Sequence, residues 1–153
     1  MKPKFVTEIR TFEIGDKTAE RKGFKNIIIE GDIERICDNA FSSCEKLETV
    51  EIRDGVREIG EKAFAHCPNL TSVVIPDGVE TIWEKAFYDC AGLASVVIPD
   101  SVREIKSGAF LGCLSLREVT VPKDAKIAVA KGNSRPDRRV LPAFGVTSKI
   151  TRK

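Results

Sequence analysis

At 153 residues the chain has the length of one ordinary domain, enough to bury a core without disulfide or metal staples. Hydrophobic residues at 42% and charged residues at 31% fit a soluble globular protein, and no stretch approaches the roughly 20 apolar residues of a membrane span. The formal net charge of +2 is unevenly spread: residues 123–153 carry nine Lys/Arg against two Asp/Glu, a local +7, which leaves residues 1–122 at −5.

Met1-Lys2-Pro3-Lys4 leads into no apolar run of the kind an export signal shows, so the chain reads as intracellular or as a surface protein trimmed of its targeting segment. Ile9, Phe12 and Ile14 form an apolar triplet at i, i+3 and i+5, and Phe24, Ile27 and Ile29 repeat it 15 residues later. From Ile33 onward a strict period takes over. The pair Ala-Phe occurs at Ala40-Phe41, Ala63-Phe64, Ala86-Phe87 and Ala109-Phe110, with a cysteine three residues after each Phe, at Cys44, Cys67, Cys90 and Cys113. Every step is 23 residues, and the same step carries Leu47, Leu70, Leu93 and Leu116, then Val50, Val73, Val96 and Val119, then Ile36, Ile59, Ile82 and Ile105. Such a period marks a repeat architecture in which each unit buries its apolar side only by stacking on its neighbours.

Within one unit, Leu70, Val73 and Ile75 end in the two-residue alternation of a half-buried strand. Pro76-Asp77-Gly78 ends the strand, because proline removes a ladder donor and Asp-Gly favours a turn. Beyond it Val79, Ile82, Ala86, Phe87 and Cys90 have helical or 3₁₀ spacing. The expected fold is therefore an α/β repeat solenoid, a right-handed coil with one parallel sheet, short helices or 3₁₀ turns opposite, and the phenylalanines stacked inside. The strands would centre on Ile14, Ile29, Ile52, Ile75, Ile98 and Val121, with a seventh at Leu141, Phe144 and Val146. A single solenoid over 1–153 divides into N-terminal capping coils at 1–32, regular repeats at 33–122 and a basic capping segment or tail at 123–153, of which 123–140 reads equally as a linker.

The unit Ile-x-x-x-Ala-Phe-x-x-Cys-x-x-Leu-x-x-Val-x-Ile-Pro, from about Ile33 to Pro122, resembles the BspA-like leucine-rich repeats, also met in treponemal surface proteins. The resemblance implies an adhesive or interaction surface and supplies no catalytic residues.

One cysteine per coil at a fixed register reads as a buried apolar ladder, since stacked thiols lie in a line and zinc ligands converge on a point. Cys37 falls in the column of Gly60, Trp83 and Lys106 and should be the partly exposed thiol. The lone histidine, His66, has no nucleophile arranged with it, so no catalytic, cofactor or metal site is expected. Partner candidates lie on the surface. Val74 and Val97 sit outward on adjacent strands, flanked in their column by Glu51 and Thr120, and read either as a partner patch or as good strand formers. Trp83 and Tyr88, the only Trp and Tyr, are candidate interface anchors or covers for a neighbouring coil's edge. Arg135, Arg138, Arg139, Lys149, Arg152 and Lys153 offer an electrostatic contact for an acidic partner or RNA, or for the acidic body itself. Function is accordingly expected to be protein recognition by the solenoid surface, with an RNA- or ribosome-associated accessory role, anchored by the basic segment, as the alternative.

Overall fold

A computed structural model of the chain describes residues 23–128 and 149–152. Two sets of parallel strands alternate along it. The longer are β1 (Asn26–Ile29), β3 (Thr49–Ile52), β5 (Ser72–Val74), β7 (Ser95–Val97), β9 (Glu118–Val121) and β11 (Lys149–Arg152). The shorter, two residues each, are β2 (Arg35–Ile36), β4 (Glu58–Ile59), β6 (Thr81–Ile82), β8 (Glu104–Ile105) and β10 (Lys126–Ile127). The long strands form one six-stranded sheet in the order β1-β3-β5-β7-β9-β11, and the short ones a five-stranded sheet in the order β10-β8-β6-β4-β2.

The second sheet corrects the expectation of a single one. Val79 and Ile82 have the i, i+3 spacing of a helix, yet Thr81–Ile82 is extended and pairs with both neighbouring coils. Two residues are too short for strand alternation to show in a sequence.

The third side of each coil carries the Ala-Phe pair, and among the described residues it forms turns and no helix. Its backbone hydrogen bonds give the reason. The N–H groups of Asn39, Phe41 and Ser43 donate to the carbonyls of Glu61, Ala63 and Ala65 in the next coil, while those of Ala40 and Ser42 donate three residues back to Cys37 and Asn39. The pattern repeats one coil on, where Lys62, Phe64 and His66 reach Glu84, Ala86 and Tyr88. Half the donors a helix would need are thus spent between coils. Reaching sideways requires a left-handed residue twice per coil: Asn39 and Ser43, Lys62 and His66, then Lys85 and Asp89, all at φ between 53° and 59°. In the last regular coil the same two places are Gly108 and Gly112, the residue that adopts this conformation without steric cost.

Side chains inside the coils fall into columns. The rings of Phe41, Phe64, Phe87 and Phe110 are fully buried and stack 5.1–5.3 Å apart within 9° of parallel. Leu47, Leu70, Leu93 and Leu116 fill a second buried column and Ile36, Ile59, Ile82 and Ile105 a third. Outside, ion pairs join residues 23 apart: Lys25 to Glu48 at 3.1 Å, Arg53 to Glu30 at 3.2 Å, Arg35 to Glu58 at 2.5 Å and Arg57 to Glu80 at 3.0 Å. Exposed pairs of this kind add at most about 1 kcal/mol each, so the coils are held by the columns and the ladders.

The C-terminal coil departs from the period. Lys126 pairs with Glu104, a step of 22, and Lys149 pairs with Glu118, a step of 31. The strand beside β9 is therefore Lys149–Arg152, not the expected one at Leu141, Phe144 and Val146, which lie outside the described residues, as does the first strand expected at Ile14. In the sequence, Ala143-Phe144 repeats the Ala-Phe pair that stands before the long strand in each described coil, and Lys149–Arg152 follows it.

Candidate functional site

The six-stranded sheet turns one face inward through Ile27, Ile29, Val50, Ile52, Val73, Val96 and Val119, all buried, and the alternating residues outward. Register places Ile28 beside Glu51, Glu51 beside Val74, and Val97 beside Thr120, while Val73 beside Val96 brings Val74 and Val97 into the same line. Around Glu51 the face is already engaged, because Arg53 donates from Nε to Glu51 Oε1 at 3.1 Å and also pairs with Glu30. One row over, Thr49 Oγ1 donates to Asn26 Oδ1 at 2.6 Å. Among the described residues no side-chain hydrogen bond or ion pair continues this row at Val74 and Val97. Val74 and Val97 are 54% and 65% exposed, and the adjacent Ser72 and Ser95 are exposed as well.

Trp83 lies on a different side of the coil, just after β6, and is half-buried. Its indole N–H donates to Glu58 Oε2 at 3.0 Å, and Arg35 and Lys106 lie 5.5 and 5.4 Å from the ring centroid. Gly60 precedes it by one coil in the column, and a side chain there would collide with the Ile36 carbonyl. The ring is thus committed to a cation–π and hydrogen-bonded clamp across neighbouring coils. The clamping cations were not singled out from the sequence, although Lys106 shares the Trp83 column.

Tyr88 is on the third side, also half-buried, edge-on to His66 at 5.3 Å with Lys85 5.6 Å from its ring. His66 Nδ1 lies 3.3 Å from Asp89 Oδ2. The tyrosine column runs Ser42, Ala65, Tyr88, Leu111, and its neighbour Glu45, Pro68, Ala91, Leu114; the sequence reading passed over Leu111 and Leu114, 40% and 70% exposed, although the period alone places them.

The five cysteines are free thiols. Cys44, Cys67, Cys90 and Cys113 are wholly buried, and the last three donate from Sγ to the carbonyls of Phe41, Phe64 and Phe87 at 3.1–3.2 Å, so they join coils as polar members of the core. A hydrogen bond with Cys44 pulls the Cys67 thiol down, but the one with Cys90 and burial outweigh it and push it up to about 12. Cys90 is raised too, by its bond with Cys113 and by burial, against an opposing bond with Cys67. Cys37 is half-exposed. Among the described residues no three His, Cys, Asp or Glu side chains group as a metal would need, and no helix is long and apolar enough to cross a membrane.

Of the basic candidates, Arg135, Arg138, Arg139 and Lys153 lie outside the described residues. Lys149 and Arg152 open and close β11, in register with Glu118 and Val121. Val74 and Val97, Trp83, and Tyr88 therefore occupy three different sides of the coil and do not form one site.

Stacked parallel coils with one fixed set of core columns define a leucine-rich-repeat solenoid. The chain belongs to the BspA type leucine rich repeat family, whose repeat region matches residues 12–130 in six copies. Among solved structures it is similar to a leucine rich repeat protein of T. pallidum, with 32% identity and a TM-score of 0.67 over 71% of this chain and 53% of that one. A leucine-rich repeat protein from Bacteroides ovatus is 30% identical, with a TM-score of 0.72 over 86% of this chain and 31% of that one. A leucine rich cell surface protein from Faecalibacterium prausnitzii is 26% identical, with a TM-score of 0.68 over 84% and 32%. The chain thus spans about half the length of the first and about a third of the other two. Among curated proteins none matches.

Proposed function

We propose that the chain is a non-enzymatic protein-recognition module that meets its partner with the outward face of the six-stranded sheet, centred on Val74 and Val97. Repeats of this family generally serve protein interaction. The observation that carries the placement is the break in the outward column, from an ion-paired Glu51 to two bare valines on adjacent strands. Such a patch is pre-ordered by the backbone ladder, so a partner covering it immobilises little. Ser72, Ser95, Glu51 and Thr120 supply the polar surround typical of an interface rim. Trp83 stabilises the coils in this reading, and Tyr88 stands aside.

The test is quantitative partner capture by the parent chain and by a Val74→Arg/Val97→Arg double variant. Both side chains are exposed, so the variant should melt with the parent while losing the partners the parent retains. Equal capture by both would refute the sheet face. The RNA-associated alternative draws on the charge of residues 123–153 alone, and no described contact adds to it.

A further inference from the structure

We propose a second binding site, apart from the sheet face: a groove between the turns after β7 and β9 that takes an acidic peptide segment, with Arg103 and Lys126 holding its carboxylates. Along this edge the coils carry a column of alternating sign, Glu34, Arg57, Glu80 and Arg103, in which Arg57 pairs with Glu80 at 3.0 Å. The next coil should add an acid beside Arg103. It does not, because the step from Glu104 to Lys126 is one residue short and the residue deleted is the one that would extend this column. Arg103 is exposed and, among the described residues, makes no ion pair. A ligand carboxylate would complete the ladder.

The same coil opens the space. Val56, Val79 and Val102 are followed in their column by the smaller Ala125, and a groove of about 750 Å³ lies against Val102, Pro122 and Ala125. That volume is in the usual range for a ligand site. Its charges are not all available. Glu104 is neutralised by Lys106 at 2.6 Å, and Asp100 and Lys123 already have interactions. What remains is Arg103 for a carboxylate, with Lys126, whose charge is shared with Glu104, beside it, and Asp124 as an acceptor for a backbone N–H. Asp124 argues against a polyphosphate backbone, which brings no donor to meet it, whereas a peptide brings both carboxylates and N–H groups.

The experiment is fluorescence anisotropy of the full chain with a labelled glutamate-rich decapeptide, a lysine-rich decapeptide and a single-stranded RNA decamer at low salt. The acidic peptide should bind, and Arg103→Ala and Lys126→Ala should each weaken it about five- to tenfold, as expected for one charge-assisted contact. Lys46→Ala, in the first regular coil, should not. Both groove side chains are exposed, so equal melting temperatures are expected, and Arg103→Lys, which keeps the charge, should recover part of the affinity. No binding at millimolar peptide, affinity unchanged by Arg103→Ala, or RNA bound more tightly than the peptide would overturn the proposal. The Val74→Arg/Val97→Arg variant should hold the acidic peptide as the parent does, so the sheet-face reading and this one fail separately.

Discussion

Truncating Phe87 to Ala probes the central column directly. Phe87 is wholly buried between Phe64 at 5.3 Å and Phe110 at 5.1 Å, so both ring faces are lost at once. Deleting a buried phenylalanine costs about 3–5 kcal/mol, and two stacked contacts of about 0.5–1.5 kcal/mol each place this site at the upper end. The carbonyl of Phe87 keeps its bond from Cys113, so the loss belongs to the ring. Phe87→Leu, which retains much of the volume but neither stack, should cost about 1–2 kcal/mol. Against a total stability of about 5–15 kcal/mol the alanine variant loses about a third or more. Urea denaturation read by Trp83, the single tryptophan and a member of the same coil, measures both losses, provided the denaturant slopes agree. A cost below about 1 kcal/mol for alanine, or equal costs for alanine and leucine, would refute the stacked column.

The thiols supply a second measurement. A bulky reagent should label Cys37 first and reach Cys44, Cys67, Cys90 and Cys113 only on unfolding; rapid labelling of two or more in the native state would contradict their burial. Because Cys67 is raised from 9.0 to about 12 in the fold, the unfolded state loses its proton first as pH rises. Stability is therefore whole below about pH 9 and drains toward pH 12, at up to about 1.4 kcal/mol per pH unit for this thiol, with Cys90 shifted in the same direction. A Cys67→Ala variant should show a shallower alkaline loss, and an unchanged slope would sink the assignment. Two glycine variants separate conformation from contact. Gly108→Ala meets nothing closer than Lys85 Cγ at 3.4 Å, so only its φ of +67° opposes it and about 1–2 kcal/mol is expected. Gly60→Ala puts Cβ 2.5 Å from the Ile36 carbonyl of the preceding coil and should cost about 3 kcal/mol or more. Equal melting losses for the two would contradict this.

Legibility followed periodicity. The columns of Phe, Cys, Leu and Val were plain because each recurs at 23 residues, and their burial follows from stacking. The second sheet was not, since Glu58–Ile59 and its equivalents are two residues long and offer no alternation to read. Nor was the turn conformation on the third side, where Lys62 and Lys85 take a left-handed backbone that a lysine does not announce; Asn39 and Gly108 in the same column were the signals. At the C-terminal end the partner of β9 was not legible, because Lys149 follows Glu118 by 31 residues and so falls outside the 23-residue period.

The same periodicity explains why the site is harder to read than the fold. In a stacked solenoid a core position has an identical neighbour above and below, so its residue type is dictated by packing and says nothing of a partner. Information about function can lie only where a column changes type without a packing reason. Trp83 changes its column, but the clamp of Glu58, Arg35 and Lys106 supplies such a reason. Leu114 changes its column with no described cover, and so do Val74 and Val97, after a glutamate whose own charge is satisfied by Arg53. Arg103 differs again: it continues its column faithfully, and the break is in the coil that follows. A departure of that kind is invisible residue by residue and emerges only when strand register shows which position the shortened coil has lost.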